Sequence, residues 1–317
     1  MIYDCITFFN ELEILELRLN ILADYVDKFV IVEANKTHTG GDKEFILEKN
    51  FERFEKFKDK ITYIKIEEFP PLKKDDEDSF GNNWLYENFQ RDEIMKGLKD
   101  CKNDDIIFVS DCDEIWNPDV LKEYKEGICS LKLYNCYYNY NTVDLYSFYT
   151  KKVKVCRYKD LIDPKQDLKG IEYCAHSKYG LPTYLRFCKG KNIYNGGWHF
   201  SYINDIKNII LKRKSIVEQQ YNTLENMDEE KIRENIEKGR DILDHGGKYI
   251  NISPKGFLPK YMIDNIEKYE KFINKKNNIP KSLVFIPLFW SKLYSDRIYD
   301  TERVIKIFGI KFKMRVK

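Results

Sequence analysis

The chain has 317 residues, of which 43% are hydrophobic, 33% charged and 15% aromatic, with a net charge of +2. That apolar share supports a sizeable core in one large or two modest domains and excludes wholesale disorder. A net charge so near zero argues against a dedicated nucleic-acid binder.

The opening residues, "MIYDCITFFNELEILELRL", interrupt their apolar run with acids and lack a basic lead, so no secretory signal is expected. No window approaches the length of uncharged apolar sequence that a membrane span needs. Eight cysteines without a C-x-x-C pair read as reduced thiols of a cytosolic chain, mostly core fillers, and not as a zinc cluster. The 23 Tyr and 20 Phe fit either aromatic-lined clefts or a compositional bias.

Residues 2–9, "IYDCITFF", read as a strand. Asn10 is expected to cap the helix that follows, with Glu13 completing a capping box. Leu12, Leu15, Leu19, Leu22 and Val26 recur at helical spacing. "KFVIVEA" (28–34) is a second strand, "NFERFEKFKD" (50–59) a short helix and "ITYIKIEEF" (61–69) a third strand. Pro, Gly and a charge run make 70–83 a loop. A helix is expected over 84–99, then the strand "DIIFVS" (105–110). "NPDVLKEYKEG" (117–127) restarts a helix, with Asn117 as cap, Pro118 in the first turn and Gly127 at the end. Short strand-like runs fill 130–200, and helices are expected at about 204–222, 228–243 and 259–276.

Alternation of strand and helix through the first 130 residues predicts an α/β fold. Its central sheet is expected to be mostly parallel and flanked by helices, with a helical C-terminal region. Ligands of such sheets bind beyond the C-terminal ends of the strands, so chemistry is sought at 8–11, 33–37 and 110–114.

The fourth strand runs into Asp111, Asp113 and Glu114. Two carboxylates one residue apart suit a hard divalent cation, Mn²⁺ or Mg²⁺, which takes oxygen ligands and can neutralise a bound diphosphate. They also suit a solvated strand-to-helix turn, and D-x-D is a common chance match. Position at a strand end favours the first reading. Glu33, ending the second strand, can accept hydrogen bonds from a ribose or base, or be an ordinary loop acid. Arg91 can pair with a phosphate or a base edge, or lie on a polar helix face. His199, in "NGGWHFSY", can ligate Mn²⁺ or pack among aromatics. The two glycines before Trp198 allow close backbone approach. His38, in the Gly-rich "NKTHTGGDK", can meet phosphate or sugar. No G-x-S-x-G, P-loop or G-x-G-x-x-G is present, which disfavours serine hydrolases, P-loop NTPases and Rossmann dehydrogenases.

Five segments, "YDCITFFNELEILELRLNIL", "VDKFVIVEANKTHTG", "FQRDEIMKGL", "DDIIFVSDCDEIWNP" and "GGWHFSY", together resemble glycosyltransferase family 17, in the order found there. The likeness runs on through "IEKGRDILDHGGKYI" and "PKYMIDNIEKYEKF" and covers about residues 1–275. It implies a GT-A-like nucleotide-sugar fold with a nucleotide-binding half (1–130), an acceptor-side half (131–203) and a helical part (204–275). It also implies an inverting, metal-dependent transfer from a UDP-sugar, UDP-GlcNAc above all, to a glycan or glycolipid acceptor. By the same resemblance Asp111 and Asp113 hold Mn²⁺ or Mg²⁺ against the diphosphate. Phe9, Asn10, Glu11 and Glu33 line the nucleotide pocket, Arg91 touches uridine or phosphate, and His199 approaches the metal.

An inverting transfer needs a carboxylate to take the acceptor hydroxyl's proton. Asp144 and Glu172, in the acceptor-side half, are the candidates; Glu114 is left without a fixed role, a place behind the metal ligands being one reading. The family's animal member is membrane-anchored in the Golgi. This chain begins at its first strand, so a microbial enzyme building surface glycans on the cytosolic side is expected instead. Residues 280–317 carry a local charge of +6. The basic tail, bounded at 276–317, reads as a final strand or helix on the domain, or as a peripheral contact with the inner face of an anionic membrane through its cations and Leu288, Phe289 and Trp290. Two other readings stand beside the transferase. One is a sugar-phosphate nucleotidyltransferase, disfavoured because "TFFNELEI" replaces the Gly-rich loop after strand one. The other is a non-catalytic nucleotide- or glycan-binding protein.

Overall fold

The computed structural model describes residues 1–70, 79–150, 152–163, 180–243 and 249–275, and the backbone of three strands between 294 and 315; of residues 79–83 it describes the backbone alone. The chain opens with β1 (Ile2–Phe8), α1 (Leu12–Leu22), β2 (Lys28–Ala34), α2 (Ile46–Lys49), a 3₁₀ helix (Phe51–Lys60) and β3 (Ile61–Ile66). Next come α3 (Ser79–Asp92), its 3₁₀ extension (Glu93–Leu98), β4 (Ile106–Asp111), β5 (Glu114–Trp116) and α4 (Val120–Glu123). The middle holds β6 (Cys129–Tyr137), β7 (Thr142–Asp144), β8 (Tyr149–Thr150), β9 (Lys154–Arg157), α5 (Tyr158–Ile162), α6 (Leu181–Phe187) and β10 (Lys191–Ser201). Then follow α7 (Ile206–Ser215), α8 (Glu229–Glu237), β11 (Tyr249–Asn251), α9 (Lys260–Asp264) and α10 (Ile266–Tyr269).

Eleven strands of the described residues form one sheet, in the order β11-β7-β6-β9-β4-β1-β2-β3, with β8 and β10 pairing β6 and β5 pairing β10. The half β3-β2-β1-β4 is parallel. Beyond β4 the sheet is mixed: β9 runs antiparallel to β4, while β10 lies parallel to β6. This is the α/β architecture expected from the strand–helix alternation and is consistent with a GT-A-like fold.

Side chains alternate across each strand. Ile6, Phe8, Phe29, Ile31 and Phe108 face α1 and its Leu15 and Leu19. Tyr3, Cys5, Val30, Val32, Ile107 and Val109 face the opposite layer, with Ile94 and Leu98. Helices on both faces explain why these strands read as unbroken apolar runs.

Several expected boundaries are corrected. Asn10 does not cap α1. Glu11 takes that position without a side-chain bond to the helix. Its Oε2 instead accepts the Phe9 and Asn10 N–H groups at 3.2 and 3.0 Å. Glu13 turns out to Arg53, 3.0 Å away. The segment 50–59 winds as a 3₁₀ helix because Phe51, Phe54 and Phe57 recur every third residue, and a three-residue turn keeps them on one face. The helix expected over 117–127 shrinks to α4, which ends at Glu123 because Tyr124 turns to extended backbone at ψ 129°. α7 stops at Ser215, where the Gln219 amide donates to the Arg213 carbonyl at 3.0 Å and turns the chain back. The helices expected at 228–243 and 259–276 are likewise shorter and broken.

The cysteines are free thiols among the described residues, and all but Cys101 are buried, as core fillers should be. Cys174 lies outside the described residues. Among the described residues no helix is long and apolar enough to cross a membrane. The basic tail contributes β12 (Tyr294–Tyr299), β13 (Glu302–Ile307) and β14 (Ile310–Arg315), an antiparallel three-stranded sheet of its own. Leu288, Phe289 and Trp290 lie outside the described residues.

Candidate active site

The turn 111–114 is held from below. Asp4 falls on the α1 face of β1, where Arg18 meets it with both side chains fully buried. The guanidinium Nε and Nη2 donate to the two Asp4 oxygens, each at 2.6 Å. Nη2 also donates to Ser110 Oγ at 2.7 Å, and Nη1 to the carbonyls of Asp111, Cys112 and Glu114 at 3.1, 3.3 and 2.8 Å. Trp116 Nε1 donates to Asp4 Oδ1 at 3.0 Å. One buried ion pair thus fixes the backbone of the whole turn, and all its polar atoms find partners.

Asp111 leaves β4 on the opposite face. Its Oδ1 accepts from Arg91 Nη2 at 3.0 Å and from Thr7 Oγ1 at 3.3 Å, and Arg186 donates to its Oδ2. Burial pushes this carboxyl's pKa up, but Arg186 and Arg91 outweigh burial and hold it well below the usual carboxylate range. The side chain is still 32% exposed, the most open of the turn's three acids. Glu114 sits behind it, accepting the Asp111 N–H at 2.9 Å and Arg186 Nη1 at 2.9 Å. Arg186 is delivered by α6. That helix is seated by Asp92, whose carboxylate accepts the N–H groups of Gly180 and Thr183 at 2.7 and 2.9 Å. Thr183 Oγ1 adds a bond to the Asn88 carbonyl at 3.1 Å.

Asp113 is met by a different cation. Its Oδ2 accepts from Lys212 Nζ at 2.8 Å, and the same ammonium lies 3.1 Å from Glu11 Oε1. Burial raises the Asp113 pKa, yet Lys212 outweighs it and the carboxyl is held down. Lys212 in turn is held charged: burial disfavours the ammonium, but Asp113 and Glu11 push its pKa well above the ordinary lysine value.

His199 stands 3.7 Å from Asp113 Oδ1 through Nε2, too far for a hydrogen bond. Its Nδ1 is 3.0 Å from Asn135 Oδ1. The Asn135 amide donates to the Ser147 carbonyl at 2.7 Å, which fixes its oxygen toward the imidazole. Nδ1 therefore carries the proton, and in the neutral ring the Nε2 lone pair faces Asp113. Gly197 makes this placement possible. Its φ is +138°, and a Cβ there would lie 2.1 Å from the Ile115 carbonyl oxygen. Only glycine lets β10 press against β5 and set His199 opposite Glu114.

Tyr138 and Tyr202 follow the ends of the parallel pair β6 and β10, and both adopt positive φ, 65° and 55°. The Tyr202 ring lies 6.0 Å from Lys212 Nζ, and the Tyr137 ring 6.4 Å from that of His199.

Of the residues singled out in the sequence, Glu11, Arg91, Asp111, Asp113 and His199 converge on the turn. Phe9 and Asn10 lie beside it, partly exposed, with the Lys43 ammonium 5.7 Å from the Phe9 ring centroid. His38 is tied in through α3: Nε2 is 3.2 Å from Gln90 Oε1, and Nδ1 is 3.9 Å from Glu87, which pairs with Arg91. Glu33 has a different setting from the one expected. Its carboxylate is fully buried and already accepts from Lys43, Ile46 N–H, Leu47 N–H and Tyr63, at 2.7–3.0 Å. It seats the start of α2 and offers no open oxygen to a nucleotide. Asp144 ends β7, buried, and accepts the Tyr146 N–H at 2.8 Å. Burial raises its pKa. Its charge is felt by the phenol of Tyr137, which burial chiefly pushes up. Glu172 lies outside the described residues.

Among the side chains not singled out in the sequence are Asp4, Arg18, Arg186 and Lys212, the partners of the turn's backbone and carboxylates. Arg18 had a usable signal, a guanidinium on the apolar face of a helix otherwise built from Leu15, Leu19 and Leu22. Arg186 and Lys212 had none.

Residues 1–277 match the family model of glycosyltransferase family 17. The chain is 22% identical over 319 residues to the beta-1,4-mannosyl-glycoprotein 4-beta-N-acetylglucosaminyltransferases of Rattus norvegicus and Mus musculus, covering 89% of this chain and 56% of each. The protein of that name from Homo sapiens is 22% identical over 309 residues, covering 86% of this chain and 55% of its own. The chain thus spans little more than half the length of these curated relatives. With a family model matched over most of its length, the chain belongs to glycosyltransferase family 17.

Proposed function

We propose that the chain transfers N-acetylglucosamine from UDP-N-acetylglucosamine to a glycan acceptor, inverting the anomeric centre. The observation that carries this reading is the 111–114 turn in a family 17 chain. Two carboxylates held in the ionised form lie at the end of a parallel strand, with Arg91, Arg186 and Lys212 against them. A departing diphosphate needs such cations, and the two guanidinia stand at the turn before it arrives. The names of the curated relatives support N-acetylglucosamine as the sugar.

Mn²⁺ or Mg²⁺ fits the donor set at this turn. Among the described residues no three metal-ligating side chains converge. Such ions are commonly bound by one or two carboxylates together with substrate phosphates, without an all-protein cage. Asp111 and Asp113 would hold the ion, with the His199 Nε2 lone pair beside them. When bound, it would supply Lewis-acid stabilisation of the leaving diphosphate.

The protein's own residues do the rest in this reading. Phe9, Asn10 and Glu11 border the nucleotide, and Arg91 and Arg186 bind the phosphates. Asp144, kept basic by burial, takes the acceptor hydroxyl's proton; Glu172 is the other candidate. Thermal shift with UDP, with and without Mn²⁺, tests the site. Metal-dependent stabilisation by UDP that disappears in Asp113→Ala is expected, together with transfer from UDP-N-acetylglucosamine read by mass spectrometry. A chain that neither binds UDP nor consumes any UDP-sugar would sink the proposal.

A further inference from the structure

We propose that the Lys212 ammonium is a resident counter-ion of Asp113 that the divalent ion has to displace, so that the ion enters readily only with a donor diphosphate able to take the ammonium over. The inference rests on the donor-site reading above.

Lys212 lies between two carboxylates, 2.8 Å from Asp113 Oδ2 and 3.1 Å from Glu11 Oε1. Neither acid is free to follow it. Glu11 is pinned through its other oxygen by the N–H groups of Phe9 and Asn10. The Asp113 backbone belongs to the turn that Arg18 grips on either side of it. A bulky residue at positive φ is costly, yet Tyr202 adopts φ 55° and sets its ring 6.0 Å from the ammonium. The elements around Lys212 are therefore fixed, and the movable part is the lysine's own four-carbon stem.

Net stability is a weak reason for this cation. Buried ion pairs recover little beyond the cost of desolvating them, and apolar residues of similar volume often do better. The contrast with Asp111 points to a role. Asp111 is met by two planar guanidinia on neighbouring helices, which suit fixed bidentate contacts. Asp113 is met by a compact ammonium on a flexible tether, which can swing from one anion to another. A divalent ion on Asp113 would stand next to this ammonium and be repelled. A diphosphate offers the ammonium other oxygens and removes the conflict. Donor and metal then favour each other's binding through the two positions of Lys212, and the coupling is reciprocal.

The test is calorimetric titration of Mn²⁺ into the full chain without nucleotide, comparing wild type, Lys212→Met and Lys212→Arg. Methionine keeps an apolar stem beside Tyr202 and removes the charge. Mn²⁺ is expected to bind the Met variant about tenfold or more tightly than wild type, and the Arg variant no more tightly than wild type. Equal Mn²⁺ affinity of the Met variant and wild type overturns the proposal. Should the Met variant not fold, Lys212→Gln, which keeps an N–H donor for Asp113, is titrated under the same expectation. A parallel titration of wild type with UDP separates the two readings. Failure of wild type to bind Mn²⁺ even with UDP overturns the donor site itself. UDP-dependent Mn²⁺ binding with no gain in the neutral variant overturns the role of Lys212 alone.

Discussion

Arg18 and Asp4 form a bidentate ion pair with no exposed side-chain surface, directly beneath the turn that carries Asp111 and Asp113. Arg18→Met leaves Asp4 as a stranded buried charge and three carbonyls without their donor. A loss of about 3–5 kcal/mol is expected from urea denaturation. Adding Asp4→Asn should recover part of it, since the stranded charge is gone and Asn still accepts from Trp116. A double variant no more stable than Arg18→Met alone would show that the pair is not the source of the loss.

Asp111 links stability to acid. Arg186 and Arg91 depress its folded-state pKa, so its contribution is fully present above the unfolded value of about 3.9 and is lost as pH falls toward the folded value. The gap in urea midpoint between wild type and Asp111→Asn should therefore be constant from pH 7 to about 5 and shrink below about 4. A gap unchanged down to about pH 3 contradicts the assignment.

Asp144, the proposed base, offers a way to separate activity from stability. Burial raises its pKa, so in the ionised form it destabilises the folded state, and that cost sets in as pH rises past the unfolded value. Asp144→Asn should leave the urea midpoint at pH 7 unchanged or higher. The same variant should lower kcat by about 10²–10⁴. In wild type, kcat/KM should fall on acidification through a value above the ordinary aspartate range. A kcat within a few-fold of wild type would leave Asp144 a packing residue.

Gly197 is expected to tolerate no side chain. With φ at +138° and the Ile115 oxygen 2.1 Å from a new Cβ, Gly197→Ala should cost at least about 2 kcal/mol. Gly127, at φ +69° with open space around it, is the control, since Gly127→Ala carries only the backbone term of about 1–2 kcal/mol. Thermal unfolding of both variants makes the comparison, and equal losses would contradict the close approach of β10 and β5.

What could be read from the sequence followed from periodicity. The run Ile107–Val109 is apolar on both faces because helices cover both, and its end marked Asp111 and Asp113 without any long-range information. Glu33 was found at a strand end for the same reason, but its partners come from the 43–47 turn and Tyr63, which no period encodes. β5 is three residues long and exists only because β10 pairs with it. Arg186 and Lys212 meet acids 75 and 99 residues away, and nothing in "LPTYLRF" or "LKRKS" separates the working cation from its neighbours. The Asn10 cap failed through competition: Glu11 turned back to the Phe9 and Asn10 N–H groups while also meeting Lys212.

Arg91 and Asp92 are consecutive on α3. Arg91 reaches Asp111 itself, and Asp92 carries the start of the helix that brings Arg186 to the same carboxylate. Both guanidinia are thus placed in part by a single turn of α3. A substitution that displaces this turn should therefore be felt by both cations of Asp111, one directly and one through the start of its helix.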